Sequence, residues 1–247
     1  MALDNKSLET LLKQVASGEV QLPEFQRAWK WDDDRIRSLL ATVTLDYPMG
    51  VVMTLQNGGP NRFRTRALHG TPPSAADREP ELLLLDGQQR LTSLYQALLS
   101  DRPVDTLDAR GKEIQRWYYI DIGKAIDPNA DREDAIISVP ADKLLREDFG
   151  RKVTHDLTTV EGECAADLFP LNITFDNAKV AAWHRAFVRA DDVNWDRWPV
   201  FKELVLDRIT KFQVPMISLG KDTDKVAVCQ VFEKVNTGGV SLNVFEL

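Results

Sequence analysis

Residues 81–99 read ELLLLDGQQRLTSLYQALL and join two different periodicities. The four consecutive leucines from Leu82 to Leu85 predict a strand that is covered on both faces. The spacing of the apolar side chains then becomes helical, at Leu91, Leu94, Tyr95 and Leu98. Free N–H groups and the positive dipole end of such a helix converge on one spot, here beside Asp86, Gln88, Gln89 and Arg90. The junction therefore predicts an anion-binding site.

Two simpler explanations of the same junction stay open at the level of sequence. Asp86 and Gln89 have the spacing of a capping box, which satisfies the donors at the start of a helix and implies no chemistry. Asp86-Gly87 is also a common hairpin turn, although the helical spacing that follows argues against it. The junction nevertheless carries a carboxylate, two amides and a guanidinium, whereas a cap needs only one or two polar side chains.

Length, charge and composition limit the functional classes. The chain has 247 residues and a net charge of -7, so any contact with nucleic acid must be local. The two cysteines, Cys164 and Cys229, lie far apart and are expected to be reduced. The three histidines lack neighbours at metal-ligand spacing, which argues against zinc. Without an apolar run of membrane-spanning length or a signal peptide, the sequence predicts a cytoplasmic protein with no membrane partner.

The residues before the leucine run predict alternating helices and strands. Ser7 and Gly18 bracket a short amphipathic helix, an extended segment precedes Pro23, and Asp32 is placed to cap a second helix. A strand is predicted from Gly50 to Leu55, followed by a turn at 57–60 that returns the chain as a neighbouring strand at 62–69. Its period of two would align three arginines, either as phosphate contacts or as a charged, exposed strand face: Arg62, Arg64 and Arg66.

The signals after the leucine run are weaker. Strands are predicted at 116–122 and 135–139, a helical turn or two at 142–147, and a loop with short helical pieces at 148–172. Helices are predicted at 177–190 and 200–211 with a corner at Trp195, Trp198 and Pro199. Trp183, Trp195 and Trp198 are expected to be packing residues. Residues 213–219 form a strand whose Pro215 indicates a sheet edge or a strand start.

The final residues predict one more helix and a glycine-rich turn. This helix begins at Asp222 or Thr223 and ends at a turn that either exposes N–H groups to a ligand or merely caps the helix: Asn236, Thr237, Gly238 and Gly239. Asn243 and Glu246 have the spacing of a capping box for a helix that the sequence does not contain. We therefore expect this chain to be a fragment of a longer protein.

Four blocks in a fixed order resemble one family. They are LPEFQR at 22–27 with Trp29 and Trp31, YPMG at 47–50, LDGQQRLTSL at 85–94, and FEKVNTGGVSL at 232–242. Together they resemble the DGQQR-domain family, the N-terminal module of GmrSD-type modification-dependent restriction systems. The match runs from about residue 20 to the C-terminus and is loose between Asp101 and Pro215. Members commonly have tyrosine where Phe25 stands, so a role that needs this hydroxyl is not expected here.

The resemblance implies an α+β fold related to ParB and sulfiredoxin, with a small mixed sheet, surrounding helices and a more helical C-terminal half. It implies a nucleotide-binding core over residues 1–125 and an extension over 126–247 that completes the same module. Members bind or hydrolyse a nucleoside triphosphate (NTP) and control a DNA nuclease on the same chain or a partner. Because these residues contain no His-Asn-His-like motif, a nuclease is expected beyond Leu247 or on another protein. A homo-oligomer is also possible in such a system.

The resemblance also assigns roles to residues. Catalytic roles fall on Asp86, Gln88, Gln89 and Arg90. Nucleotide binding falls on Gln26, Arg27, Gly87, Asn236, Thr237, Gly238 and Gly239. Charge neutralisation is the main demand of a triphosphate, so we expect Arg90 and Arg27 on phosphate oxygens and the glutamines on phosphate or water. Asp86 would hold Mg²⁺ or orient the water, and Gly87 would let the backbone approach closely.

A different functional class remains open beside this one. Restriction of modified DNA requires a surface that recognises the modification, and a non-catalytic sensor could do so through phosphate contacts and an apolar pocket. The residues expected at such a surface are Arg62, Arg64, Arg66, Phe25 and Trp29. Nucleotide bound without hydrolysis, as a conformational switch, is a third possibility.

Overall fold

The structure is a computed structural model that describes residues 2–59, 63–148, 150–224 and 226–228. Predictions for Arg62, for Cys229 and for the turn at 236–239 lie outside these residues. The described strands are β1 (Ala2–Ser7), β2 (Val20–Pro23), β3 (Val52–Gln56), β4 (Thr65–Arg66), β5 (Leu82–Asp86), β6 (Val104–Leu107), β7 (Glu113–Asp121), β8 (Ile136–Pro140), β9 (Leu144–Glu147), β10 (Lys152–Asp156), β11 (Leu168–Pro170) and β12 (Gln213–Leu219).

Helices of several types connect these strands. The α-helices of the described chain are α1 (Leu8–Ser17), α2 (Asp33–Thr44), α3 (Gln88–Leu98), α4 (Ile122–Ile126), α5 (Arg132–Ala135), α6 (Val160–Ala165), α7 (Asn177–Ala190), α8 (Asn194–Phe201) and α9 (Asp207–Lys211). Short 3₁₀ helices cover Pro73–Ala75 and Leu171–Ile173, and a π-helix covers Lys202–Leu206. Within the described residues, no helix has both the length and the apolar character that crossing a membrane requires.

The chain forms two compact units, each built from separate segments of sequence. The first unit contains the described residues within 1–29, 50–92 and 213–247, and the second contains those within 30–49 and 93–212. Helix α3 begins in the first unit and continues into the second. The division between residues 125 and 126 that the resemblance implies stays a prediction about functional organisation. The α+β class, with a mixed sheet and helices, is confirmed.

A six-stranded mixed sheet in the order β1-β12-β3-β5-β2-β4 forms the frame of the first unit. Strand β5 pairs in parallel with β2 and antiparallel with β3. Leu83 and Leu84 are completely buried and Leu85 is 2% exposed, which confirms the prediction of a strand covered on both faces. The predicted helix follows after a single intervening residue, Gly87.

The first helix has both predicted ends, and the second helix has the predicted start. The Ser7 side chain accepts a hydrogen bond from the Thr10 N–H at the start of α1, and Gly18 ends this helix with a φ of 78°. A side chain added at Gly18 would collide with the carbonyl oxygen of Ala75, so both conformation and space require glycine there. Asp32 caps α2 by accepting from the Arg35 N–H. Capping residues in the sequence therefore located both helices.

The predicted hairpin after β3 is wrong. Among the described residues 63–69 of the predicted strand, only Thr65–Arg66 is a strand, and it pairs with β2 instead of returning beside β3. The reason is that both edges of β3 are already occupied, by β5 on one side and β12 on the other. Strand β12 is also internal to the sheet, so its proline does not mark an edge. Pro215 is the third residue of β12 and pairs with Asn5 of β1, directly before the residues Met216–Leu219 that pair with β3, so the alternative of a strand start is not confirmed either.

In the second unit, β7 pairs with β6, β8 and β11 around an aromatic core. The strands predicted at 116–122 and 135–139 and the helix at 177–190 are confirmed as β7, β8 and α7. The helical turn predicted at 142–147 is wrong, because β9 and β10 form an antiparallel hairpin there. Lys143 and Asp148 have positive φ angles of 59° and 52°, a conformation that interrupts a helix on either side of β9.

The corner predicted at Trp195, Trp198 and Pro199 is also wrong. All three residues lie within α8, which continues through the π-helix into α9. Trp183 and Trp198 are buried as predicted, and Phe169, Phe187 and Phe201 surround them. Trp195 is 60% exposed and does not serve the core in the way the sequence suggested.

Candidate functional site

The carboxyl ends of two parallel strands meet at one edge of the six-stranded sheet. Strand β2 ends at Pro23 and β5 ends at Asp86, and the two run in the same direction as neighbours. Asp86 lies opposite Met53 near the start of the antiparallel β3. This edge therefore brings together the segment after β2, the turn after β5 and the segment before β3. Crevices at the carboxyl ends of parallel strands are common ligand sites in α/β sheets.

Gly87 makes the turn from β5 into α3 possible. Its φ of 96° lies in the region that residues with a side chain rarely adopt. A Cβ atom at this position would lie 3.1 Å from Cγ2 of Val52, so the neighbouring strand also leaves little room. Leu91 donates its N–H to the Gly87 carbonyl at 2.9 Å, which places the first helical hydrogen bond immediately after the turn.

Arg90 is held at the centre of this edge. Its Nη2 atom lies 3.0 Å from the Asp86 carboxylate and donates to the Val51 carbonyl at 3.0 Å. The Arg90 side chain is 19% exposed and that of Asp86 is 30% exposed, so this ion pair is only partly screened by solvent. Gly50 has a φ of 90°, and a Cβ atom there would collide with the Arg90 guanidinium. A glycine backbone thus forms part of the seat for Arg90.

The segment after β2 is fastened to the end of β5 by buried amides. The Gln26 side chain is 8% exposed and donates to the Leu84 carbonyl and, at 3.2 Å, to the Leu85 carbonyl. Gln88, 7% exposed at the start of α3, donates its amide N–H to the Arg27 carbonyl at 2.9 Å. Gln26 and Gln88, which are 62 positions apart, therefore connect the same two segments of chain.

Arg66 connects a third strand to the same segment. Its Nη2 atom donates to the carbonyls of Gln26 and Arg27, each at 3.0 Å. Burial lowers the pKa of the Arg66 guanidinium, and the nearby Glu24 carboxylate opposes that shift. The side chain of Arg66 is thus directed at backbone carbonyls of the first unit.

Two polar groups at this edge remain available to a ligand. Within the part of the chain that the structure describes, the exposed Arg27 guanidinium has no hydrogen-bond or ion-pair partner. Oδ1 of Asp86 likewise has none there, because the described ion pair of this carboxylate uses Oδ2. Within the described residues, the ion pair of Asp86 is with Arg90 and not with Arg27. The arrangement presents one unpaired cation and one carboxylate oxygen, a donor set suited to a phosphate and a cation.

A metal site made of protein ligands alone is not present in the described residues, where no three His, Cys, Asp or Glu side chains cluster. Mg²⁺ in nucleotide sites is usually bound through one or two carboxylates, with phosphate oxygens and water completing the shell. The single Asp86 carboxylate fits that mode of binding and does not fit a dedicated metal cage.

The other residues predicted for the site take different positions. Gln89 is partly exposed on the first turn of α3. Arg64 is 91% exposed, with Glu24 at 4.0 Å, whereas Arg66 is engaged with carbonyls. Phe25 contacts Phe63 edge-on with ring centroids 6.2 Å apart, and Trp29 stacks on His69 at 5.6 Å.

Sequence reasoning missed two parts of the site. Gly50 and the Val51 carbonyl seat Arg90, and Arg66 acts on the backbone of Gln26 and Arg27. Gly50 ends one of the blocks that carry the family resemblance, which was the available signal. Nothing in the pattern around Arg66 distinguished a side chain that holds backbone from one that contacts phosphate.

A second buried polar cluster lies in the second unit. Glu163, 5% exposed, accepts hydrogen bonds from the Tyr119 hydroxyl and the Trp183 indole, each at 3.0 Å, and Lys143 lies 3.7 Å away. Burial raises the pKa of Glu163, although its hydrogen bonds and the Lys143 charge oppose the shift. Every described polar neighbour of this carboxylate is a donor, which is the pattern of a structural cluster in the core.

Fold and site together define an α+β protein with a polar strand-to-helix junction at the carboxyl ends of parallel strands. Comparison with known families identifies it further. Residues 8–247 match the family described as GmrSD restriction endonuclease, N-terminal domain, and the chain belongs to that family. It is also 29% identical over 259 aligned positions to the uncharacterized protein MJ0686 of Methanocaldococcus jannaschii. The alignment covers 99% of this chain and 41% of that protein, so the chain spans well under half of its relative's length.

Proposed function

We propose that this chain is the NTP-binding and NTP-hydrolysing regulatory module of a DNA restriction system that acts on modified DNA in anti-phage defence. Family membership supports the restriction role. The observation that carries the nucleotide role is an exposed Arg27, whose backbone carbonyl is held by Gln88 at the start of α3, together with the Asp86–Arg90 pair at the carboxyl end of β5. An oxygen-rich anion needs such cations, and the planar guanidinium suits contact with two phosphate oxygens.

In this proposal each residue of the edge has a distinct task. Arg27 contacts phosphate, Arg90 stabilises negative charge on it, and Gln89 donates to phosphate or positions water. Gln26, Gly87 and Gln88 keep these groups in place through their backbone and amide contacts. Asp86 would hold Mg²⁺, which neutralises phosphate charge when bound, and Asn236, Thr237, Gly238 and Gly239 would bind the nucleotide. The fold would then be of the ParB and sulfiredoxin type.

The proposed partners follow from the same assignment. A nuclease domain, C-terminal on the same chain or on a separate protein, would cut the DNA under control of the nucleotide state. Modified DNA would be the signal, the system would work in the cytoplasm, and two or more copies could assemble on one substrate.

The second candidate function is a non-catalytic sensor that binds modified DNA. It is favoured by the 91% exposure of the Arg64 side chain and by the stacked Trp29–His69 pair in the same unit. Aromatic side chains of this kind can stack on an unpaired base. Nucleotide would then have no role, or would act as a switch without turnover.

Turnover measurements separate these functions. Phosphate release from all four NTPs with Mg²⁺ is measured with unmodified and modified duplex, for the wild type, Asp86→Ala and Arg90→Ala. Asp142→Ala is a matched control, because it also removes an aspartate paired with an arginine four positions later, at 2.6 Å. The proposal expects turnover that both site variants abolish and the control retains. Turnover unaffected by both site variants would refute the assignment, and salt-dependent binding of modified DNA without turnover would establish the sensor.

A further inference from the structure

Two side chains of the first unit, one on strand β4 and one on helix α3, hold the backbone of Gln26 and Arg27. Arg66 donates to the carbonyl oxygens of both residues at 3.0 Å. Gln88 donates to the same Arg27 carbonyl at 2.9 Å. This carbonyl therefore accepts two hydrogen bonds, which uses both of its lone pairs and leaves it one preferred orientation.

The sheet and the turn that follows β5 fix the positions of Arg66 and Gln88. Arg66 pairs with Leu22 across β4 and β2, one strand away from the segment that it holds. Gln88 begins α3 directly after the constrained Gly87 turn. Hydrogen bonds to a charged donor are stronger than neutral ones, so a guanidinium on a strand is a stiff support for a loop.

We propose that Arg66 is a positioning residue of the nucleotide site, which presents the Arg27 guanidinium to phosphate by fixing the Arg27 backbone. This inference rests on the proposed function and changes the role that the sequence suggested for Arg66. A residue that contacts DNA phosphates directs its donors outward, whereas both described bonds of Arg66 go to carbonyls of its own chain. Arg64, 91% exposed, shows the outward arrangement two positions earlier.

A double-mutant cycle on nucleotide affinity tests the inference. The dissociation constant of Mg-NTP is measured by calorimetry on the full chain for the wild type, Arg66→Met, Arg27→Ala and the double variant. If Arg66 acts through Arg27, Arg66→Met weakens binding about ten-fold and adds nothing once Arg27 is absent. Arg66→Lys restores most of the affinity, because an ammonium group can still donate to both carbonyls.

Further variants keep the test decisive. Arg78→Met removes an arginine of the same unit that pairs with Glu19 at 3.1 Å, and it should leave the affinity unchanged. If Arg66→Met does not fold, Gln88→Met takes its place in the cycle, because Gln88 donates to the same carbonyl. Effects that are fully additive with Arg27→Ala would overturn the inference.

Failure of the inference differs from failure of the proposed function. A wild type that binds no NTP refutes the nucleotide function itself. A wild type that binds NTP, with an Arg66→Met variant of equal affinity, refutes only the positioning role. Loss of salt-dependent DNA binding in Arg66→Met, at unchanged NTP affinity, would instead establish Arg66 as a DNA contact.

Discussion

Replacing Gly50 by alanine should displace the Arg90 side chain without removing any polar group. The Gly50 φ of 90° is unfavourable for alanine, at a cost of about 1 kcal/mol. The new Cβ atom would collide with Nη1 of Arg90, which is the far end of a flexible side chain and therefore moves more easily than backbone. Its movement breaks the bond to Val51 and the ion pair with Asp86, which are 3.0 Å long each.

The expected loss of stability can be worked out from these contacts. A hydrogen bond to a charged group contributes about 1.5–3 kcal/mol, and partial exposure of the pair reduces this to the lower end. We therefore expect Gly50→Ala to lower the free energy of unfolding by about 2–3 kcal/mol and NTP turnover about ten-fold or more. Urea denaturation followed by circular dichroism measures the first quantity, and phosphate release measures the second.

Gly111→Ala provides the matched control. Gly111 has a φ of 78°, and no atom lies within 4 Å of the position of an added Cβ. This variant should show only the cost of backbone strain, about 1 kcal/mol, with normal turnover. Equal stability and equal turnover in the two variants would refute the claim that Gly50 seats Arg90.

Three further predictions concern other buried groups. Burial raises the pKa of Glu163 above its ordinary value of 4.5, so the stability contributed by its protonated form is complete below pH 4.5 and is lost as the pH rises through the raised pKa. Glu163→Gln should flatten this part of the curve of unfolding free energy against pH, whereas the exposed Glu161→Gln should not. Gln26→Met should cost about 1–2 kcal/mol in urea denaturation, because it removes the donor to two strand carbonyls, and an unchanged midpoint would contradict this. Burial raises the pKa of Cys164 to about 12, so about one thiol in 10⁴ is ionised at pH 8, and peptide-level maleimide labelling of Cys164 should be slow until the protein unfolds.

The strand-to-helix junction could be predicted because its signals are local. Four leucines specify a buried strand, the next apolar residues have helical spacing, and Gly87 permits the turn. The helix caps at Ser7, Gly18 and Asp32 were predictable for the same reason.

Features that depend on distant pairing could not be predicted from local pattern. The contact of Gln26 with the end of β5 requires that β2 and β5 pair in parallel, although about 60 residues separate them. The family resemblance suggested that these motifs act together, but it gave no hydrogen bond between them. The same limitation explains the wrong hairpin after β3, since nothing near residue 57 shows that both edges of that strand are occupied.

Direct nucleotide binding to the wild type and to Arg27→Ala tests the central claim most sharply. Arg27 is exposed and has no partner within the described chain, so its removal should change stability by no more than about 0.5 kcal/mol. Each Mg-NTP is titrated calorimetrically into both proteins, with the exposed Arg189→Ala as a control. We predict saturable binding of at least one NTP to the wild type and the control, and an affinity at least about ten-fold lower for Arg27→Ala. Absence of binding to the wild type, or equal affinity for wild type and Arg27→Ala, would contradict a nucleotide site at the carboxyl ends of β2 and β5.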